Sequence, residues 1–170
     1  MKKVLFMLLT GFTAITFASA QADTTTITRV GDKAPVFVCT TIDGKTIDIS
    51  KLQGKIILIN FFATWCGPCM KELPVLQKNI WDKYKNNENF RLIILGREHS
   101  ETEVKKFVGG KKFTMPFAPD PERKIYSLYA TQFIPRNVII GKDGKIIFQS
   151  MGYTPEEFRK IEDLLAEQLK

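Results

Sequence analysis

Apolar residues fall into three kinds of run along this chain. The first is Val4 to Ala18, mostly apolar and placed behind Met1-Lys2-Lys3. It is shorter than the ~20 residues that span a bilayer and ends in the small-x-small stretch Ala18-Ser19-Ala20, so residues 1–20 read as a secretory signal peptide. Ala20-Gln21-Ala22 offers a second cleavage point. The second kind is short and unbroken: Ile56 to Phe62 and Phe90 to Gly96 are apolar almost throughout. Continuous rather than alternating apolar character marks strands buried on both faces, at the centre of a sheet covered by helices. The third kind has helical spacing. Leu73, Leu76, Ile80 and Tyr84 make one stripe, and Phe158, Ile161, Leu164, Leu165 and Leu169 make another.

Polar punctuation places the remaining elements. Asp23 to Arg29 is Thr-rich, and residues 21–30 read as a flexible lead before a single domain over 31–170. Val36 to Thr41 and Lys45 to Ile49 read as a hairpin around the Asp43-Gly44 turn. Ser50 to Gly54 is one capped turn leading into the central strand. The helix after Cys66 should run to about Lys85, kinked at Pro74, which lacks a backbone donor. Ser100-Glu101-Thr102-Glu103 is a capping box for a helix ending at Gly109-Gly110. Met115 to Ala118 is short and extended, and Asp120-Pro121 should cap a helix through about Tyr129. Asn137 to Gly141 and Lys145 to Gln149 form a second hairpin around Asp143-Gly144. Thr154-Pro155-Glu156-Glu157 is a second capping box. The order predicts an α/β fold: a central mixed sheet with helices on both faces, preceded by a β-hairpin. No internal repeat or interdomain linker is visible.

Composition narrows the function classes. The 170 residues suffice for one domain with a real core. The formal charge is +7, two less once Lys2 and Lys3 leave with the leader. Lysines are scattered, with short clusters at Lys105-Lys106 and Lys111-Lys112, and no basic stripe with interleaved aromatics points to nucleic acid. Three cysteines, Cys39, Cys66 and Cys69, are too few for a disulfide scaffold in an exported protein. One close pair plus a single cysteine is the count of a redox site.

The pair is the candidate chemistry. Cys66 and Cys69 stand three apart at the junction between the central strand and a helix, close enough on one helix face to bridge. Cys66 at the helix N-terminus faces unpaired backbone N–H groups and the positive end of the macrodipole, which favour a thiolate. The junction lies at the carboxyl end of a strand, where open α/β sheets place their sites. A structural staple is the competing reading, but so small a loop stabilises little.

At Ala63-Thr64-Trp65-Cys66-Gly67-Pro68-Cys69 the chain resembles the thioredoxin superfamily and, more closely, the TlpA/ResA-like exported thiol–disulfide oxidoreductases. Gly54-Lys55 before the buried strand, the extension Asp43-Gly44-Lys45 to Leu52, and Ile134-Pro135 before a later strand carry the likeness, from about Gly31 to the C-terminus. The resemblance implies a thioredoxin fold with an N-terminal hairpin, a redox disulfide between Cys66 and Cys69, and a cis Pro135. It also implies a membrane electron donor and protein disulfide substrates, apocytochrome cysteines among them. The expected product is a periplasmic monomer with neither cofactor nor metal. Cys66 would attack the substrate and Cys69 would resolve the mixed disulfide. Trp65, Gly67, Pro68, Ile134 and Pro135 would meet the substrate, with the free backbone edge of Ile134 pairing a substrate strand. A glutamate at the position of Glu72 is associated with thiol tuning in ResA-like members. Independently, a partly buried carboxylate near Cys69 would accept its proton and raise thiol pKa, whereas a solvated glutamate paired with lysine is the alternative. Asn60 stands where plain thioredoxins have a buried aspartate, which leaves Glu72 the stronger candidate base.

Other residues read more plainly. Cys39 is a small buried side chain, or else a second resolving thiol. His99 is a surface-loop histidine, or else a proton relay or substrate contact. Arg136 is a surface arginine, or else a partner for a thiolate or an acidic substrate. Two other functions compete: a thioredoxin-fold peroxidase, and a Cu(I) carrier built from Cys66, Cys69 and His99.

Overall fold

The computed structural model describes residues 23–170, so the expected signal peptide lies outside the described residues. Strand β3, Ile56–Phe62, is buried along its whole length and forms the middle of a five-stranded sheet. It runs parallel to β4, Phe90–Arg97, and antiparallel to β6, Arg136–Ile140. Strands β5, Phe117–Asp120, and β7, Ile146–Met151, close the two edges. The hairpin of β1, Val38–Thr40, and β2, Thr46–Asp48, forms a separate two-stranded sheet, with Gly44 at φ 83 in its turn.

Alternate residues of β3 feed two cores. Ile56, Leu58 and Phe62 pack with Leu73, Leu76 and Ile80, with Val104, and with Phe158, Ile161 and Leu165. Ile57, Ile59 and Phe61 pack with Phe37, Cys39 and Ile49 of the hairpin region and with Tyr126 and Tyr129. All three long helices therefore serve one core. They are α1 (Gly67–Leu76), α3 (Glu101–Lys111) and α4 (Pro155–Gln168), while α2 (Asp82–Tyr84) is a single turn continuing the path of α1.

Four local expectations change. Past Pro74 the helix does not simply kink: Gln77–Trp81 widens into π-helical turns, and the Gln77 N–H reaches both Leu73 O and Pro74 O. Helix α3 passes through Gly109-Gly110 and ends only at Lys112, which takes the left-handed conformation at φ 58. Glycine in a helix costs about 1 kcal/mol, not enough to stop one. The helix expected over 120–129 is reduced to a 3-10 turn, Tyr126–Leu128. Asp120 ends β5, Arg123 turns the chain at φ 59, and the Asp120 carboxylate caps the later turn by accepting the N–H groups of Ile125 and Tyr126. Finally, Thr154 does accept the Glu157 N–H, but the Glu157 carboxylate pairs with Lys160 instead of returning to the cap. Of the two expected boxes, the full reciprocal form is made by Ser100 and Glu103.

The lead from Asp23 is docked rather than loose. Ile27 N–H donates to Tyr129 O, Thr131 N–H donates to Thr25 O, and Thr28 is buried against Gln149. A polar segment holds this position because the 129–136 loop and β7 supply hydrogen-bond partners to Thr25, Thr26, Ile27 and Thr28.

Candidate functional site

At the carboxyl end of β3 the chain turns through Ala63, whose carbonyl accepts the Cys66 N–H, and enters α1 with Cys66 as its N-cap. Gly67 and Pro68 occupy the first helical positions, where a missing proline donor is harmless. Cys66 and Cys69 form a disulfide across 5.3 Å between their Cα atoms. The Cys66 Sγ accepts the Cys69 N–H at 3.2 Å, the geometry that would hold a thiolate once the bond is reduced. Cys66 is 5% exposed and Cys69 fully buried, so the N-terminal sulfur is the one a partner can reach.

The second wall comes from far along the sequence. The Ile134–Pro135 peptide is cis, and the Ile134 carbonyl oxygen lies 3.6 Å from Cys66 Sγ. Trp65, Cys66, Gly67, Pro68 and Ile134 line one cleft of about 470 Å³, joined by Phe133. Trp65 is 63% exposed and Phe133, held at φ 67, is 55% exposed. Pro135 sets the loop but does not line the cleft. A larger cleft of about 960 Å³ sits at the opposite end of β3 and β4, around Phe90 and Met115, and carries no cysteine or histidine.

Behind the disulfide, Glu72 is not a solvated glutamate paired with lysine; it is 1% exposed. Asn137 Nδ2 donates to its Oε1 at 2.6 Å and Asn60 Nδ2 to its Oε2 at 2.8 Å. Asn60 Nδ2 also donates to Asn137 Oδ1 at 2.8 Å, closing a ring of three side chains. Burial pushes the Glu72 carboxyl up to about 7, against the two amide bonds that lower it. Both Cys69 and Glu72 lie on the buried face of α1, one turn apart. Asn137, which the sequence marks only as the start of a strand, carries the same signal as Asn60: an amide inside an apolar strand, and the two pair across β3 and β6.

Two other residues, His99 and Arg136, are placed differently from expectation, while Cys39 is the small buried side chain expected. His99 is buried, and its Nε2 accepts the Thr64 N–H at 2.8 Å, so it props the turn before Cys66. Nε2 is thereby taken by a backbone donor, and among the described residues no group of three or more His, Cys, Asp or Glu side chains is placed to hold a metal ion. Arg136 is also buried. It donates to the carbonyls of Gln132 and Phe133 and to the hydroxyls of Thr25 and Thr26, and it lies 3.6 Å from Asp23. It is neither a surface arginine nor a thiolate partner; it ties the lead to the loop before Pro135. Cys39 is a free buried thiol in the other core, its pKa pushed up to about 11 by burial and then by Asp120.

The sequence profile of the Redoxin family matches residues 29–165. A thiol–disulfide oxidoreductase ResA from Bacillus thuringiensis is 36% identical over 129 residues, covering 76% of this chain and 73% of its own. The solution structure of a candidate protein disulfide isomerase from Bacteroides thetaiotaomicron superposes with a TM-score of 0.82 at 38% identity, covering 85% of this chain and 92% of that one. StoA from Bacillus subtilis superposes with a TM-score of 0.64 at 26% identity, over 76% and 96% of the two chains.

Proposed function

The chain belongs to the Redoxin family and is a thiol–disulfide oxidoreductase of the ResA type, and we propose that it reduces protein disulfides outside the cytoplasm through a mixed disulfide on Cys66. The supporting observation is the Cys66–Cys69 disulfide on the N-terminus of α1, opening onto a cleft walled by Trp65 and Ile134.

In the reduced protein the Cys66 thiolate attacks one sulfur of a substrate disulfide. A Cys66–substrate bond forms, and the other substrate sulfur leaves as a thiolate that takes up a proton. Cys69 then gives its proton to the Glu72 carboxylate and attacks Cys66. The Cys66–Cys69 bond is restored and the second substrate thiol departs. Two electrons pass from the dithiol to the substrate, so an external donor must reduce the pair again. A buried carboxyl titrating near neutrality suits that proton transfer. The backbone of Ile134 offers the substrate strand a pairing edge, and Trp65, Gly67 and Pro68 contact it on the other side.

The leader over residues 1–20 would deliver a soluble periplasmic monomer, re-reduced by a membrane donor. Apocytochrome cysteines are among the substrates this reading allows. Among the described residues no helix is long and apolar enough to cross a membrane. The test is a Cys69→Ser trap expressed in the native host. Exported cysteine proteins held on Cys66, and their absence from a Cys66→Ser control, are the expected result. An empty trap, with no insulin-reducing activity in the native protein, would sink it.

A further inference from the structure

The cleft beside Cys66 carries unbalanced positive charge. Arg97 and Arg123 both line it, and no aspartate or glutamate does. Both guanidiniums lean on a single acid: Arg97 Nη2 is 3.3 Å from Glu98 Oε2, and Arg123 Nη1 is 3.4 Å from Glu98 Oε1. Two cations sharing one carboxylate leave one net positive charge. Aromatic faces fix them in place. The Arg97 and Arg123 guanidinium carbons stand 4.9 and 5.2 Å from the Tyr126 ring centre, and Arg97 is 5.8 Å from that of Trp65. Tyr126 is itself anchored, donating its hydroxyl to Phe133 O at 2.7 Å. The Nε atoms of both arginines are buried with no hydrogen-bond partner among the described residues. Nearby Asp120 is buried in the core, its carboxylate turned to the backbone N–H groups of Ile125 and Tyr126, and it does not line the cleft.

The neighbouring surface is apolar. Trp65 and Phe133 stand exposed in the lining of the same cleft, which Ile134 shares. We propose that Arg97 and Arg123 make this cleft selective for protein segments that carry a carboxylate beside the disulfide cysteine that Cys66 attacks, with an apolar neighbour resting on Trp65 or Phe133. The inference rests on the disulfide-exchange reading of Cys66 and adds the chemistry of what is exchanged. Arginine in a rigid aromatic setting suits this role, because its planar fork loses little freedom on meeting a carboxylate.

The experiment uses the mature protein, reduced with dithiothreitol and freed of it, against three disulfide-bridged peptides. They are identical except for Glu, Gln or Lys next to the reactive cysteine. Second-order rates at low salt should run Glu above Gln above Lys, with about tenfold between Glu and Gln. At about 1 M salt that ratio should fall toward one, because exposed charges are screened over a few ångströms there. In Arg123→Gln and in the Arg97→Gln/Arg123→Gln double variant the Glu-to-Gln ratio should fall at low salt. A ratio cancels losses common to both peptides, so a fold defect does not imitate the effect. Equal rates for the three peptides on the native protein overturn the proposal, as does a ratio that survives in the double variant. Failure to reduce any of the three overturns the exchange reading, and this inference with it.

Discussion

Asn137 and Glu72 are joined by a 2.6 Å amide-to-carboxylate bond in a core that excludes water from both. They lie 65 residues apart, on β6 and α1. The β3–β6 register supplies the rest, since it sets Asn60 opposite Asn137 and both amides reach the same carboxylate. Amide donors stabilise the ionised form, yet neither carries a charge, so burial wins and the group titrates near neutrality.

A direct consequence is a pH-dependent stability. The Glu72 carboxyl rises from 4.5 to about 7 on folding. A raised value means that the folded state binds the proton more tightly than the unfolded chain. The contribution is complete below about pH 4.5 and is lost as pH climbs through 7, by roughly 3 kcal/mol in all. Glu72→Gln removes the titration. Urea unfolding from pH 4 to 8 should show the native protein losing about that much relative to the variant; parallel profiles would refute it.

Asn60→Asp tests the ring from the other side. A second carboxylate would stand where an amide now donates to Glu72 Oε2 at 2.8 Å. Two such groups cannot both ionise cheaply, so the pair should hold one proton at neutral pH. The variant should be less stable than native by about 2–4 kcal/mol at pH 8 and nearly equal to it at pH 5. Unfolding midpoints at the two pH values decide it.

The parts of this site that were legible in the sequence are those whose signal is local. The apolar run of β3, the helix-capping Cys66 and the X-Pro before β6 are local patterns, and each stands at the site. What depended on long-range partners was hidden. By sequence His99, Arg136 and the lead look exposed or loose, because polar residues in loops usually are. Each is instead satisfied by a partner distant in sequence: Thr64 for His99, Thr25 and Thr26 for Arg136, Gln149 for Thr28. The missing helix over 120–129 has the same origin, since pairing of β5 with β4 claims Asp120 before a helix can begin there.

The His99 prop predicts a graded series. His99→Ala leaves the Thr64 N–H without its acceptor and should cost about 1–3 kcal/mol. His99→Gln keeps a side-chain acceptor and should cost less. Gly96→Ala acts on the same prop sterically, because its Cβ would stand 2.8 Å from Val104 Cγ2 and 3.4 Å from His99 Cβ. About 1–3 kcal/mol is expected there too. Urea midpoints rank the three; a His99→Ala variant as stable as native would show that the bond holds nothing.

The lead's hold on the loop before Pro135 predicts an energetic coupling between ends of the chain. Thr25 and Thr26 hydroxyls each accept from Arg136 at 2.6 Å, and Asp23, its own pKa held well below the usual carboxylate range chiefly by Thr25 and Thr26, faces the same guanidinium. A chain starting at Ile27 leaves this buried cation with only the Gln132 and Phe133 carbonyls and Met151 Sδ. Truncation should therefore cost about 2–4 kcal/mol. In an Arg136→Met background there is no charge to strand, so the same truncation should cost about 1 kcal/mol or less. The loop also presents Ile134 to Cys66, so truncation in the Arg136 protein should raise the KM for a disulfide peptide more than it lowers kcat. Equal truncation costs in the two backgrounds would mean that the lead stabilises the fold without acting through Arg136.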